Sequence, residues 1–106
     1  MSKKQFIRDL TLGTAVEDVF MLASAQQGQA RNGPYWRVEF RDAGGSMESK
    51  IWSPLSQQFP DLKPGLLAEV RGRVVLYRER SEIAVESMRL LDEEERKLAD
   101  PADFMP

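Results

Sequence analysis

The sequence predicts an all-β domain in which five strands close into a barrel and one short helix lies between the third and fourth strands. Five runs of strand-forming residues follow one another between positions 16 and 91, separated by turn-forming segments. A Ser-Pro pair at positions 53 and 54 opens a short helical segment that Pro60 ends. A small sheet must also cover its edges, and a closed barrel does so. Because the five-stranded OB-fold carries a helix between strands three and four, we predict an OB-fold barrel over residues 15–91.

The first strand is predicted over residues 16–26, followed by a glycine-bearing loop at 28–33. From Val19 to Ala23 apolar residues occupy both phases of the strand alternation. Such a run is typical of a strand that is buried on both sides or strongly bent.

The second strand, predicted over residues 35–41, alternates between apolar and charged side chains. Successive side chains of a strand point to opposite faces, so Trp36, Val38 and Phe40 share the core face. Trp36 is therefore predicted inside the barrel, and Tyr35 is the exposed ring beside it.

The third strand, predicted over residues 46–52, repeats this alternation with Ile51 facing inward and Lys50 and Trp52 facing outward. Trp52 has two interpretations at this stage. It is either an exposed ring that can stack on a ligand, or a ring that folds under the short helix at 54–59 and closes the barrel end.

The fourth and fifth strands are predicted over residues 66–77 and 82–91, joined by a loop at 78–81. In the fourth strand Arg71 and Arg73 flank Gly72, so both arginines point outward and the glycine lets the barrel bend.

The charge is distributed unevenly along the chain. The net charge is −2, yet residues 31–91 carry ten basic and eight acidic side chains, whereas residues 92–106 carry two and six. The acidity therefore belongs to the terminal segment, and the predicted barrel is slightly basic. The acidic run at 92–95 is typical of a solvated helix or linker rather than of a metal site.

Several function classes are excluded by composition. The chain has no Cys and no His, which removes disulfides, thiolate metal sites and imidazole-dependent catalysis. We expect no metal ion, no cofactor and no catalytic activity in this chain alone. The longest apolar run is too short to cross a bilayer, and the N-terminal residues do not form a secretory signal, so a cytoplasmic location is expected.

The exposed rings and cations of the predicted barrel favour binding of single-stranded nucleic acid. Bases stack on aromatic rings while cations follow the phosphates. The candidate binding residues are Tyr35, Arg37, Arg41, Lys50, Trp52, Arg71, Arg73, Arg78 and Arg80. Carboxylates at 39, 48, 79 and 82 dilute this charge, so we expect weak binding with about three phosphates neutralised.

A second hypothesis is an interaction domain that packs on a partner protein and does not bind nucleic acid appreciably. The partner is a catalytic domain, another subunit or a second copy that pairs with an exposed edge of the first or fifth strand. The two hypotheses differ in whether Trp52 and Tyr35 are exposed beside basic side chains or buried beneath the short helix.

Three segments carry a family resemblance. "VEDVFMLASAQ", "NGPYWRVEFRDAGGSMESKIW" and "LKPGLLAEVRGRVVLYRERSEIAVESMRLLDEEE" resemble the N-terminal OB-fold domain of bacterial 3′-5′ exoribonucleases that carry an HD phosphohydrolase domain downstream. The terminal "LADPADFMP" is similar to that family's linker. The chain departs from the family pattern at Glu79, where Gly is common, and at Glu82, where Gln is common.

The resemblance implies how the chain is divided into segments and which domain binds and which domain hydrolyses the nucleic acid. Residues 1–14 would form a lead-in segment, 15–91 the OB-fold domain, and 92–106 an acidic linker toward a C-terminal catalytic domain. The OB-fold domain would hold RNA or single-stranded DNA, and the HD domain, with its His and Asp metal ligands, would hydrolyse it.

Overall fold

A computed structural model describes residues 3–105 of the chain, and its central feature is a closed five-stranded barrel. The strands are β1 (Ala15–Ala30), β2 (Gly33–Asp42), β3 (Gly45–Ile51), β4 (Leu67–Tyr77) and β5 (Arg80–Leu90). One α-helix, α1 (Glu93–Leu98), follows the barrel, and 3-10 helices occupy Ile7–Asp9, Leu55–Gln58 and Pro101–Asp103. The order around the barrel is β1-β2-β3-β5-β4, with β3 and β5 parallel and the other paired strands antiparallel. The predicted fold class is confirmed.

Strand β1 bends because it belongs to two halves of the barrel. Residues 15–21 pair with β4 and residues 21–30 pair with β2, with a bulge between Leu22 and Ser24. A bulge bends its strand and increases the local twist. Phe20 and Leu22 belong to the barrel core, whereas Val19 and Met21 belong to a second cluster with Phe104, so the apolar run is buried on both faces of β1.

The β1–β2 hairpin is longer than predicted. Instead of a loop over 28–33, β1 continues to Ala30, which pairs with Gly33 across a turn of two residues. Gly28 is opposite Tyr35 in this hairpin, and a Cβ atom on Gly28 would lie 2.5 Å from the Tyr35 ring. Gly28, a loop signal in the sequence, instead lies within the strand and makes room for an aromatic ring.

The segment between β3 and β4 folds differently in detail. The predicted N-cap is wrong, because the 3-10 helix Leu55–Gln58 has no side-chain cap. The Ser53 and Ser56 hydroxyls donate instead to the Pro34 carbonyl of β2. These two hydrogen bonds attach the segment to the hairpin.

The core side chains come from all five strands, as the alternation predicts. The largest fully buried ones are Phe20, Phe40, Leu22, Ile51, Ile83, Val38, Val70 and Val74. Trp36 is also buried, and its Nε1–H donates to the Phe59 carbonyl at 2.7 Å. Gly72 is at a bulge where a Cβ atom would lie 2.1 Å from the Ala84 carbonyl oxygen, so β4 and β5 need a glycine to approach each other.

The N-terminal segment covers one end of the barrel. The fully buried Asp42 carboxylate accepts hydrogen bonds from the Ile7 and Gly44 amides at 2.9 and 2.8 Å. The Lys3 ammonium is 3.4 Å from Asp42, with its side chain almost completely buried. Burial lowers the pKa of Lys3 below its usual value, although the nearby Asp18 and Asp42 charges oppose the shift.

The acidic terminal segment packs on the same barrel. Asp92 and Glu95 form a capping box at the start of α1, which satisfies amides at the helix N-terminus. Further along, Phe104 is buried in a cluster with Val19, Leu67 and Leu91. Within the described residues, no helix is long and apolar enough to span a membrane.

Candidate nucleic-acid interface

Three aromatic rings form a row on the outside of the barrel. The Tyr35 and Trp52 ring centroids are 4.9 Å apart and tilted by 37°, and Trp52 and Tyr77 are 6.4 Å apart and tilted by 51°. Trp52 is 40% exposed. Of the two interpretations of Trp52, the ring folded under the short helix is therefore wrong. We call Tyr35, Trp52 and Tyr77 the aromatic row.

Strand register explains why these rings meet. Trp36 pairs with Ile51 on the core side of β2 and β3, so Tyr35 and Trp52, one position further along, point outward next to each other. Tyr77 is the last residue of β4 and pairs with Arg80 across a two-residue turn. The parallel contact between β3 and β5 then brings this turn close to the end of β3.

The aromatic row borders a cleft of about 440 Å³. Its lining residues are Gln29, Ala30, Tyr35, Arg37, Glu48, Lys50, Trp52, Tyr77, Arg78, Arg80 and Glu82. Four of these side chains are basic and two are acidic. The cleft thus combines rings with an excess of positive charge.

The floor of the cleft holds an ion pair. Lys50 donates from Nζ to Glu82 Oε2 at 2.8 Å, and both side chains are about nine-tenths buried. The same ammonium is 4.4 Å from the Tyr77 ring centroid and 3.9 Å from Glu48. The charge of Lys50 is therefore largely balanced by carboxylates.

The rim of the cleft carries the more available cations. Arg37 is half exposed and only loosely paired, 3.7 Å from Glu48. Arg78 and Arg80 are exposed, and no carboxylate within residues 3–105 is at ion-pair distance from either. The Arg78 guanidinium is 5.5 Å from the Tyr77 ring centroid, which places it at the end of the aromatic row.

Three of the candidate residues lie away from the cleft. Arg73 donates to the Gly13 carbonyl at 2.6 Å, and Arg71 is 3.9 Å from Glu17. Arg41 is near the other end of β2, paired with Met21 of β1. The structure thus brings Tyr35, Arg37, Lys50, Trp52, Arg78 and Arg80 together and leaves these three outside.

Sequence reasoning missed Tyr77 as a site residue. A signal was present, because Tyr77 has the same outward phase on β4 as Arg71 and Arg73 and directly precedes a charged loop. Gln29 and Ala30 were missed as well, since the extension of β1 past position 26 was not predicted.

Comparison with solved structures agrees with the architecture. The chain is similar to the solution NMR structure of the second OB-fold domain of replication protein A from Methanococcus maripaludis, with a TM-score of 0.66 and 20% identity. The match covers 84% of this chain and 95% of that one. The fold is therefore an OB-fold.

Sequence comparison agrees with the resemblance carried by the motifs. The chain is 27% identical over 95 residues to the 3′-5′ exoribonuclease YhaM of Bacillus subtilis, and 28% identical over 79 residues to that of Halalkalibacterium halodurans. These matches cover 89% and 74% of this chain but only 30% and 25% of the relatives. No protein-family model matches the chain. The predicted similarity to bacterial 3′-5′ exoribonucleases is confirmed, and the chain spans less than a third of the length of these relatives.

Proposed function

We propose that this OB-fold domain binds single-stranded RNA or DNA across the aromatic row. The observation that carries the proposal is the row itself, three partly accessible rings in a cleft whose rim has arginines. Binding is the whole role of the domain in this proposal, and no catalytic step is assigned to it.

The rings supply stacking surface for bases. Each base stacked on an aromatic side chain contributes about 1–3 kcal/mol, with little sequence preference because every base has a π-face. Trp52 is central in the row and the most accessible large ring in the cleft, so it makes the largest contribution.

The rim arginines contact phosphates, and the floor lysine does not. Arg37, Arg78 and Arg80 are the available cations, whereas Lys50 is balanced by Glu82. Three phosphates on a single strand give a slope of about −2 for log K against log salt concentration. The two lining carboxylates weaken the attraction, so the domain alone binds in the micromolar range or more weakly.

The sequence relatives give the binding activity a context. They are 3′-5′ exoribonucleases in which the matched region is less than a third of the length. The domain serves as the substrate-binding part of such an enzyme in the cytoplasm, holding a strand for a catalytic domain elsewhere in the polypeptide. The lead-in (1–14), barrel (15–91) and tail (92–106) division belongs to the same proposal.

Fluorescence anisotropy with a labelled single-stranded pyrimidine 12-mer, at about 50 mM and about 200 mM salt, tests the proposal. Trp52→Ala should weaken binding at least about fivefold while the fold is retained, because one stacked base is lost. Arg78→Ala should reduce the magnitude of the salt slope by about 0.7, and Arg71→Ala, outside the cleft, should leave it unchanged. If the folded parent chain shows no saturable binding at low salt, the proposal is wrong.

A protein-contact role is the second candidate, and one apolar groove favours it. Met21, Leu67, Phe104 and Met105 line a groove of about 200 Å³ beside α1, and Leu98 on that helix is 70% exposed. This surface would contact the catalytic domain or a second copy of the chain. Such a contact would change little between low and high salt, which separates it from nucleic-acid binding.

A further inference from the structure

Tyr35, which lines the cleft, also lines a second cavity. Its volume is about 340 Å³, and residues of both the β1–β2 hairpin and the 3-10 helix Leu55–Gln58 line it. The residues that matter for its chemistry are Gln27, Pro34, Tyr35, Trp36, Gln57 and Phe59. We call this cavity the hairpin pocket.

The available polar groups of the hairpin pocket are neutral, and they include two side-chain amides. None of its lining residues, all within the described part of the chain, is charged. The Trp36 indole N–H already donates to Phe59, and the Ser56 hydroxyl already donates to Pro34. Gln27 and Gln57 are exposed, and each offers a donor and an acceptor on one planar group. One Gln57 N–H donates to the Ser53 hydroxyl at 3.5 Å, which leaves its second N–H and its carbonyl oxygen for a ligand.

Neutral amides beside apolar and aromatic surface match a nucleobase better than a phosphate. A phosphate is bound most strongly by charged donors, and the lining residues provide none. The Gln amide can instead form paired hydrogen bonds with a base edge, as it does with adenine.

We infer that the hairpin pocket binds the base of the nucleotide adjacent to the one stacked on Trp52, with Gln27 and Gln57 contacting the base edge. Tyr35 lines both the cleft and the hairpin pocket, so the two cavities are adjacent and a strand with one base in the cleft brings the next base to the hairpin pocket. Gly28 has no Cβ atom, so the Tyr35 ring lies directly against β1, where a Cβ atom would be 2.5 Å from the ring. This inference rests on the proposed function and adds a second base site to it.

The test uses the RNA trinucleotide AAA and NMR spectra of the 15N-labelled chain. The Trp52 indole signal reports on the cleft, and the Gln27 and Gln57 side-chain amide signals report on the hairpin pocket. Gln57→Ala and Gln27→Ala should each weaken binding by roughly three- to tenfold, as expected for the loss of one net hydrogen bond. Gln58→Ala and Gln26→Ala change exposed glutamines outside the pocket and should leave the affinity unchanged.

Removing the base at each position of the trinucleotide in turn identifies the nucleotide whose base contacts Gln57. For one of the three positions of the abasic site, the trinucleotide should bind the parent chain and Gln57→Ala with equal affinity, because the Gln57 amide then has no base to contact. Movement of the Trp52 signal without movement of the Gln signals, or equal effects of Gln57→Ala and Gln58→Ala, would overturn the second base site and leave the proposed function standing. Absence of any saturable shift, at Trp52 included, would overturn both.

Discussion

Replacing Glu82 with Gln tests the negative charge on the cleft floor, which in the proposed function opposes nucleic-acid binding. Glu82 neutralises Lys50 at 2.8 Å, and both side chains are about nine-tenths buried. The substitution keeps the shape of the side chain and a hydrogen-bond acceptor but removes the negative charge. It therefore frees the Lys50 ammonium for a phosphate and, in the unbound chain, leaves it without its main counter-ion.

The separation of the two charges sets the size of the effect. At 2.8 Å and an effective dielectric constant of about 20, the attraction is about 6 kcal/mol before desolvation is subtracted. Removing one partner of a fully buried pair costs about 3–5 kcal/mol. Here the Gln amide still accepts a hydrogen bond and Glu48 remains 3.9 Å away, so we expect a loss of about 2 kcal/mol in the free energy of unfolding.

Urea denaturation measures the loss of stability, and anisotropy titration over several salt concentrations measures binding. For Glu82→Gln we expect tighter binding at low salt and a slope steeper by about 0.7, because one more cation meets a phosphate. Glu86→Gln is the matched control, since Glu86 is exposed on the same strand outside the cleft. Unchanged stability and binding in Glu82→Gln, or equal effects of the two variants, would refute the reasoning.

Further substitutions test individual parts of the fold. Gly72→Ala should lower the free energy of unfolding by about 3 kcal/mol or more in urea denaturation, because the new Cβ atom would lie 2.1 Å from a carbonyl oxygen of β5. Glu79→Gly should raise it by about 1 kcal/mol, since Glu79 has a φ of 67° that glycine adopts without strain, and an unchanged midpoint would contradict this. Trp36→Phe should lower the free energy of unfolding by about 1–3 kcal/mol, because the buried Phe59 carbonyl loses its indole donor. The Arg89 guanidinium donates hydrogen bonds to the Glu95 carboxylate and lowers the pKa of Glu95 to about 2. The stability that this pair contributes is therefore complete above pH about 4.3 and is lost as the pH falls toward 2. In an NMR pH titration, Arg89→Gln should return the pKa of Glu95 toward its usual value, and an unchanged pKa would contradict this.

The fold could be predicted because its signals are local. The alternation in β2 separates Trp36 from Tyr35, and the structure places them inside and outside as predicted. The position at which β1 ends could not be predicted in this way. The exposed hairpin carries few apolar residues, so residues 27–30 of β1 resemble a loop in the sequence. Only the structure shows that Gly28 pairs with Tyr35 within the hairpin.

The candidate site could be predicted only in part, because its contacts are distant along the chain. Tyr35 and Trp52 follow from the pairing of β2 with β3. Tyr77 joins them only when the barrel closes and the turn after β4 reaches the end of β3. The partner of Lys50 is 32 positions away, and no alternation pattern reveals such a pair.

The floor and the rim of the cleft differ in whether their cations are paired with carboxylates. Counted along the sequence, Lys50, Arg78 and Arg80 are equivalent cations. In the structure Lys50 is neutralised on the floor beside Tyr77, whereas the two arginines are exposed at the rim. A nucleic-acid strand presents flat apolar bases on one side and charged phosphates on the other, so a neutral aromatic floor with a cationic rim favours bases directed inward. In the binding mode that we propose for this cleft, stacking determines the depth at which a strand binds, and the rim arginines determine how strongly salt competes with it.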